Sequence, residues 1–520
     1  MRIGHRAPVA TPRITPRRAV SAPPSAMLTP KGVGVAVIQV GTTHVSLAAF
    51  GAPGVGDATP VLAAALRTGA TTIVIPPGRW RVVTWGALPP IRGRTLLGQP
   101  GAVVEAVNIL PAAGGLAWSD LTFRGVTFTN PRTPRRAANF AWFAGDMAGL
   151  TFEDCAIVDG TTSFLNGTRG PVTFRRCRFT QTANPPATLN MSIGNVHGPF
   201  TVTACVFDFR PHSPAGVLVQ VYGPPAPGPV TITGNTFLGG RWGGVIDGAI
   251  DIEPHGVTGG PVTVVGNRIT NGSLYLAGVA TAVVAGNIIT FTEAVYQGHA
   301  APLVGYTSAT PKPRAGALTV IGNTVVMGPG TLAAPIPLVS FHGGGAVDSL
   351  TLAANTFVWQ ATSPEPVTLG WWDPSVTPGW GTLTLQQNRW HVTSALPAGS
   401  TLGLVTVGAP AGALDTLVLV DNTYTGPPLA GWHLRPRAGL PRGRIGGLRL
   451  AGNTAPPGTG PVVVAAPDVV ARVAALGPNP GWGPPTGLPP AAPLWPWVVG
   501  AGLAAAGAGY AAWRIATRTP

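Results

Sequence analysis

Eight asparagines recur in one setting between residues 235 and 453, in the stretches PVTITGNTF, PVTVVGNRI, AVVAGNII, LTVIGNTVV, LTLAANTFV, LTLQQNRWHV, LVLVDNTY and LRLAGNTA. They are Asn235, Asn267, Asn287, Asn323, Asn355, Asn388, Asn422 and Asn453, at intervals of 32, 20, 36, 32, 33, 34 and 31 residues. A recurrence of that period marks a solenoid, in which each unit packs only on its neighbours. Each unit reads as a short alternating strand, a small or polar break carrying the asparagine, and a second short apolar strand. Stacked as parallel coils, such units set each strand about 4.8 Å from its equivalent. Each asparagine then lies above the next, where amides hydrogen-bond along the stack. An all-β, single-stranded parallel β-helix meets these demands.

The frame extends toward the N-terminus with other residues in the asparagine position: Gly125 in LTFRGVTF, Cys155 in LTFEDCAIV, Cys177 in VTFRRCRF and Cys205 in FTVTACVF. All three cysteines of the chain therefore occupy the ladder. They read as small buried thiols, since in-register side chains point the same way, which is poor disulfide geometry, and no metal-ligand spacing accompanies them. Twelve ladder positions predict about twelve coils and a stack about 60 Å long. The composition agrees: 72 glycines and 57 prolines in 520 residues supply turns, while 45% hydrophobic residues supply a core.

Residues 36–98 read as an N-terminal cap and first coils, ahead of the β-helix proper at 99–466. Thr59 followed by Pro60 is an N-cap plus first-turn proline, VLAAALR a short helix that covers the first coil's open edge, and TTIVI a strand ended by IPPG. Phe50-Gly51-Ala52, Asp57, Thr59, the Ala63 to Leu66 helix and Ile75-Pro76-Pro77-Gly78 resemble the opening of the pectate-lyase-like superfamily. That group of right-handed parallel β-helices includes polysaccharide lyases, glycoside hydrolases and phage tailspikes. The resemblance implies the right-handed fold from about residue 40 to 465; chemistry has to be argued from the site.

At the other end PDVVARVAALG, residues 467–477, reads as a second capping helix stopped by Gly477, and 478–493 as a Pro/Gly-rich linker. LWPWVVGAGLAAAGAGYAAW, residues 494–513, carries no charge and has Trp495 and Trp497 at one end and Tyr510 and Trp513 at the other. It is expected to be a transmembrane helix with aromatic belts, followed by a basic tail, 514–520. Gly500, Ala504 and Ala508 give it a small-residue face suited to self-association, with a homotrimer as one outcome. The expectation is a single-pass membrane protein with a C-terminal anchor in lipid, on the surface of a cell or of a membrane-containing virion.

The formal charge is +15, almost all from arginine. Part of the excess lies in residues 1–35, a Pro-rich basic arm without acids that reads as disordered, with a capsid, anionic lipid or nucleic acid as the alternative to plain solvation. No apolar run follows its arginines, so it is not a signal peptide.

Against only 18 acidic residues in the chain, VIDGAIDIEPHG places Asp247, Asp251, Glu253 and His255 close together. Strand alternation sets Ile246, Ile250 and Ile252 toward the core and the four polar residues on the outer wall. Same-face neighbours there lie about 6.8 Å apart, within glycosidase carboxylate spacing. The group is a candidate catalytic set, with calcium as its one candidate cofactor; the alternatives are a binding role and acids bonded to turn amides or to Arg241. The chain lacks the paired Asp-Asp and the Arg-Ile-Lys of polygalacturonase-like hydrolases. A second constellation, GWWDPSVTPGW, offers Trp371, Trp372 and Trp380 as flat faces for sugar rings and Asp373 for hydroxyls, against packing of a long loop as the alternative. The expected function is a membrane-anchored β-helical spike or surface adhesin that binds glycans. The alternatives are a polysaccharide lyase or glycoside hydrolase, and a purely structural virion or envelope protein.

Overall fold

The chain divides into two units, Met1–Gln39 and Val40–Pro520. The computed structural model describes residues 43–490 apart from internal segments, the longest being 107–117, 130–140, 181–195, 211–216, 220–227, 240–248, 293–301 and 306–314. The first unit, with the basic arm, lies outside the described residues.

Three long sheets run through the second unit, of sixteen, fourteen and nine strands, each in strict chain order. Every strand pairs in parallel with its equivalent one coil away, as in the run Thr122, Thr151, Thr173, Thr201, Thr231 and Thr263 across the first sheet. This is a parallel β-helix, the fold of the pectate-lyase-like superfamily. The first sheet begins at His44–Ser46 and ends at Val473–Leu476. Its sixteen strands exceed the twelve expected coils because three precede the first ladder position and one follows Asn453.

The turn from first to second sheet explains the recurring motif. One residue bends the chain in the left-handed region: glycine at 125, 234, 266, 286, 322 and 452, with φ of 61° to 67°, and Asp154, Arg176, Ala204, Ala354, Gln387 and Asp421, with φ of 51° to 55°. The next residue turns inward and is buried, so the first ladder position expected at Gly125 is held by Val126, and Gly125 makes the bend. From Asn235 to Asn453 each Nδ2 donates to the Oδ1 of the following asparagine at 2.8–3.0 Å and to a backbone carbonyl of the preceding coil at 2.8–2.9 Å. A buried turn would otherwise leave these backbone groups unpaired. The cysteines imitate this arrangement: Cys177 Sγ donates to Phe152 O at 3.3 Å and Cys205 Sγ accepts from Cys177 N at 3.3 Å. All three thiols are free and buried.

Inward columns form the core. Phe152 and Phe174 stack at 4.6 Å, and so do Phe207 and Phe237. Farther along, Phe357 stacks on Trp390 at 4.2 Å. At the N-terminal end α1, Thr59–Arg67, lays Leu62, Ala63, Ala65 and Leu66 on this core. Thr59 is its first residue rather than its cap: Asp57 Oδ1 accepts from Thr59 N at 2.9 Å and from Thr59 Oγ1 at 2.5 Å.

Two expectations for the C-terminal part are corrected. Residues 467–477 form no capping helix; α1 is the single α-helix among the described residues. Val470 bridges to Ile445, and Val473–Leu476 pairs with Ile445–Ala451. Three buried valines at 469, 470 and 473 and a left-handed Asp468, with φ of 62°, favour an extended course over a helix. Residues 478–490 continue the stack: Asn479 Oδ1 accepts from Asn453 N at 3.1 Å, and Trp482–Gly483 pairs with Thr459–Pro461.

The transmembrane helix and the single-pass anchor are likewise not upheld. No helix among the described residues is long and apolar enough to cross a membrane. Residues 494–513 and the basic tail 514–520 lie outside the described residues.

Candidate functional site

The acidic strand is only partly described. Ile250–Ile252 belongs to the third sheet, where Asp251 stands in register between Leu218 and Tyr275. Ile250 and Ile252 fill the core as alternation requires, yet Asp251 on the opposite face is only 5% exposed. Asp247, Glu253 and His255 lie outside the described residues. Among the described residues no group of three or more His, Cys, Asp or Glu could hold a metal ion.

The tryptophan constellation is split between inside and outside. Trp380 begins a strand of the first sheet and, like Trp359, Trp372 and Trp390, is buried in the core. Thr368–Asp373 is a strand of the third sheet in which Trp372 points inward and Trp371 outward, half-buried. The inward indole fits because Gly403 faces it. A Cβ there would lie 2.6 Å from Trp432 Cδ1 and 2.9 Å from Trp372 Cζ3.

The outer wall beside Trp371 carries polar groups from three successive coils. Trp371, Leu404 and His433 form one column; Asp373, Thr406 and Arg435 lie two residues farther along their strands. Trp371 Nε1 lies 3.4 Å from Thr406 Oγ1. Asp373 is 1% exposed, and its Oδ2 accepts from Arg437 Nη1 at 2.7 Å while the arginine keeps 45% of its side chain in solvent. Arg435 Nη2 donates to His433 Nδ1 at 2.6 Å. Burial, and then the Arg435 charge, hold the His433 imidazole below its ordinary value. His433 is therefore neutral near pH 7, with its proton on Nε2. The wall thus joins an indole face, a hydroxyl, a neutral imidazole and two arginines, one fixed by a buried carboxylate. Sequence reasoning singled out Trp371 and Asp373 but missed Thr406, His433, Arg435 and Arg437. Their signal is alternation in TLGLVTV and GWHLRPR, which turns these four outward.

A separate charged cluster lies on the first sheet. Glu153, 5% exposed, accepts from Arg124, Arg175 and Arg176. Burial pushes its carboxyl up, but hydrogen bonds from Arg176, Arg124 and Arg175 outweigh that and hold it below its ordinary value.

No protein-family model matches the sequence, and no curated protein matches it. Among solved structures, the A-module of mannuronan C-5 epimerase AlgE6 from Azotobacter vinelandii is 12% identical, with 81% of this chain and 99% of that one covered and a TM-score of 0.39. A double mutant of the tailspike protein of E. coli bacteriophage HK620 is 15% identical over 76% of this chain and 78% of that one, with a TM-score of 0.43. The Streptococcus pneumoniae surface protein and adhesin PfbA is 10% identical over 84% and 99%, with a TM-score of 0.28.

Proposed function

We propose that this chain is a β-helical spike or surface protein that binds a glycan on the outer wall of its third sheet. The observation behind this reading is the half-buried indole of Trp371 set beside the Asp373–Arg437 pair. An indole held flat on a rigid strand offers an apolar face to the C–H side of a sugar ring. Thr406, Arg435 and Arg437 surround it with hydroxyl and guanidinium groups for ring hydroxyls. Guanidiniums pair best with carboxylates, so the favoured ligand is a glycan containing uronate or sialate units. Asp373 is too buried to meet the sugar; its part is to hold Arg437 in place. Trp372 and Trp380, enclosed in the core, take no part in binding.

The test is a glycan array probed with the full chain and with Trp371→Ala. Binding of acidic glycans by the wild type, weakened about five- to twelvefold by the substitution, supports the reading, since one stacking contact of this kind is worth about 1–1.5 kcal/mol. An unchanged melting temperature would place the loss at the wall rather than in the fold. A wild type that binds no glycan overturns the function, and a variant that binds as well as wild type overturns the site.

A further inference from the structure

The first sheet carries a surface unlike the rest of the molecule. Across its eight strands from Phe200–Thr203 to Leu414–Val420, three outward columns contain no Asp, Glu, Lys or Arg. The central column is threonine in six of eight coils: Thr201, Thr231, Thr263, Thr319, Thr351 and Thr384, with Val283 and Val418 between and after them. The flanking columns hold Pro, Thr, Ser, Val, Ala, Ile and Gln, and Asp348, Asp415 and Asp421 lie just outside them. No described residue hydrogen-bonds the six hydroxyls of the central column, and Val283, at 37%, is one of two exposed large hydrophobic residues among those described.

This absence of charge is local. Over the same coils the second sheet turns Arg268 and Arg389 outward, and the third turns Asp373 and Arg435 outward. In the coils before them the first sheet itself carries the Glu153 cluster. Depletion of charged residues is one of the compositional marks of the core of a protein–protein interface.

We infer that this threonine face is where a second copy of the chain docks, face to face. Eight coils at about 4.8 Å and three columns at about 6.8 Å span about 38 by 20 Å, close to the roughly 800 Å² per partner of a standard interface. Each copy carries a formal charge of +15, so two copies repel wherever their charged walls meet, and this face is the approach that avoids it. A face built of identical short side chains at a fixed repeat is self-complementary, as a two-fold interface requires. Hydroxyl pairs across it repeat what Thr203 and Thr233 do within the sheet at 2.8 Å. The face has neither the aromatic ring nor the guanidiniums of the third-sheet wall, so it is distinct from the proposed glycan site.

The test is the mass of the full chain in solution, by analytical ultracentrifugation, for the wild type and for Thr231→Arg combined with Thr351→Arg. A wild-type dimer that becomes monomeric in the variant, with an unchanged far-ultraviolet spectrum, supports the inference. A monomeric wild type, or a dimer that survives the substitutions, overturns it. Should the variant fail to fold, hydroxyl-radical footprinting of the wild type across a dilution series decides. Protection of Val283 that grows with dimer fraction supports the interface, and protection that appears only when a glycan is added to a monomer assigns the face to glycan and overturns it.

Discussion

The Oδ1 of Asn388 accepts twice from Asn355, from its backbone N–H at 3.1 Å and from its Nδ2 at 2.9 Å. The same amide of Asn355 donates to Val320 O at 2.9 Å, and its own Oδ1 receives two bonds from Asn323. One side chain thus satisfies two buried backbone groups of the preceding coil, Asn323 N–H and Val320 O, and joins the side chain of the next.

Asn355→Leu should therefore cost about 1–3 kcal/mol, because it strips partners from Asn323 N–H and Val320 O without removing those groups from the interior. Urea unfolding measures it as a lowered midpoint. An unshifted midpoint would mean the ladder amides contribute nothing beyond shape.

Ala354, with φ of 51°, bends the chain where the preceding coil uses Gly322. A left-handed alanine is strained by about 1–2 kcal/mol, and the greater freedom of glycine in the unfolded chain cancels part of the relief. Ala354→Gly should raise stability by about 0.5 kcal/mol or more. The reverse change, Gly322→Ala, should lower it in the same thermal melt.

The carboxyl of Glu153 is held below its ordinary value of 4.5 in the folded chain, because the hydrogen bonds from Arg176, Arg124 and Arg175 outweigh the opposing effect of burial. The folded state then binds fewer protons than the unfolded one near that pH, so the stability Glu153 contributes is complete above pH 4.5 and is lost as pH falls through the folded-state value. Midpoints measured down the pH scale should show a smaller acid loss in Glu153→Gln than in the wild type. An identical loss in both would assign acid sensitivity to other carboxylates.

Gly403 leaves room for two indoles, so Gly403→Val should cost about 1–3 kcal/mol by overpacking. Combining it with Trp432→Leu should restore part of that loss, since the ring 2.6 Å from the new Cβ is gone. Non-additive free energies from a double-mutant cycle would register the relief; strict additivity would locate the strain elsewhere.

Why the first two sheets are legible in the sequence and the third is not follows from the turns. Between the first and second sheets the chain must bend within one left-handed residue and bury the next, which leaves few choices and produces the Gly-Asn signature at Gly234-Asn235 and Gly266-Asn267. Strands of the third sheet, such as Ile250–Ile252 and Leu274–Leu276, have three residues and no such turn, so nothing repeats. In GWWD, alternation says that Trp371 and Trp372 face opposite ways but not which faces inward. That depends on Gly403, thirty-odd residues away in sequence and adjacent only in the stack. PDVVARVAALG spaces its apolar residues in a way that suits both helix and strand, and the open edge of Ile445–Ala451 selects the strand.

The amide ladder also has a direction. Every asparagine from Asn235 to Asn453 gives its backbone N–H and one Nδ2 hydrogen to the Oδ1 of the next, while the other Nδ2 hydrogen reaches back to a carbonyl of the preceding coil, so each coil is completed from both sides. In chain order, each asparagine coil thus presents two donors that the next turn of chain completes, and the next asparagine's amide in turn completes a carbonyl of the coil before it. Asn479 ends the series by turning its amide back onto its own Gly477 O at 2.8 Å.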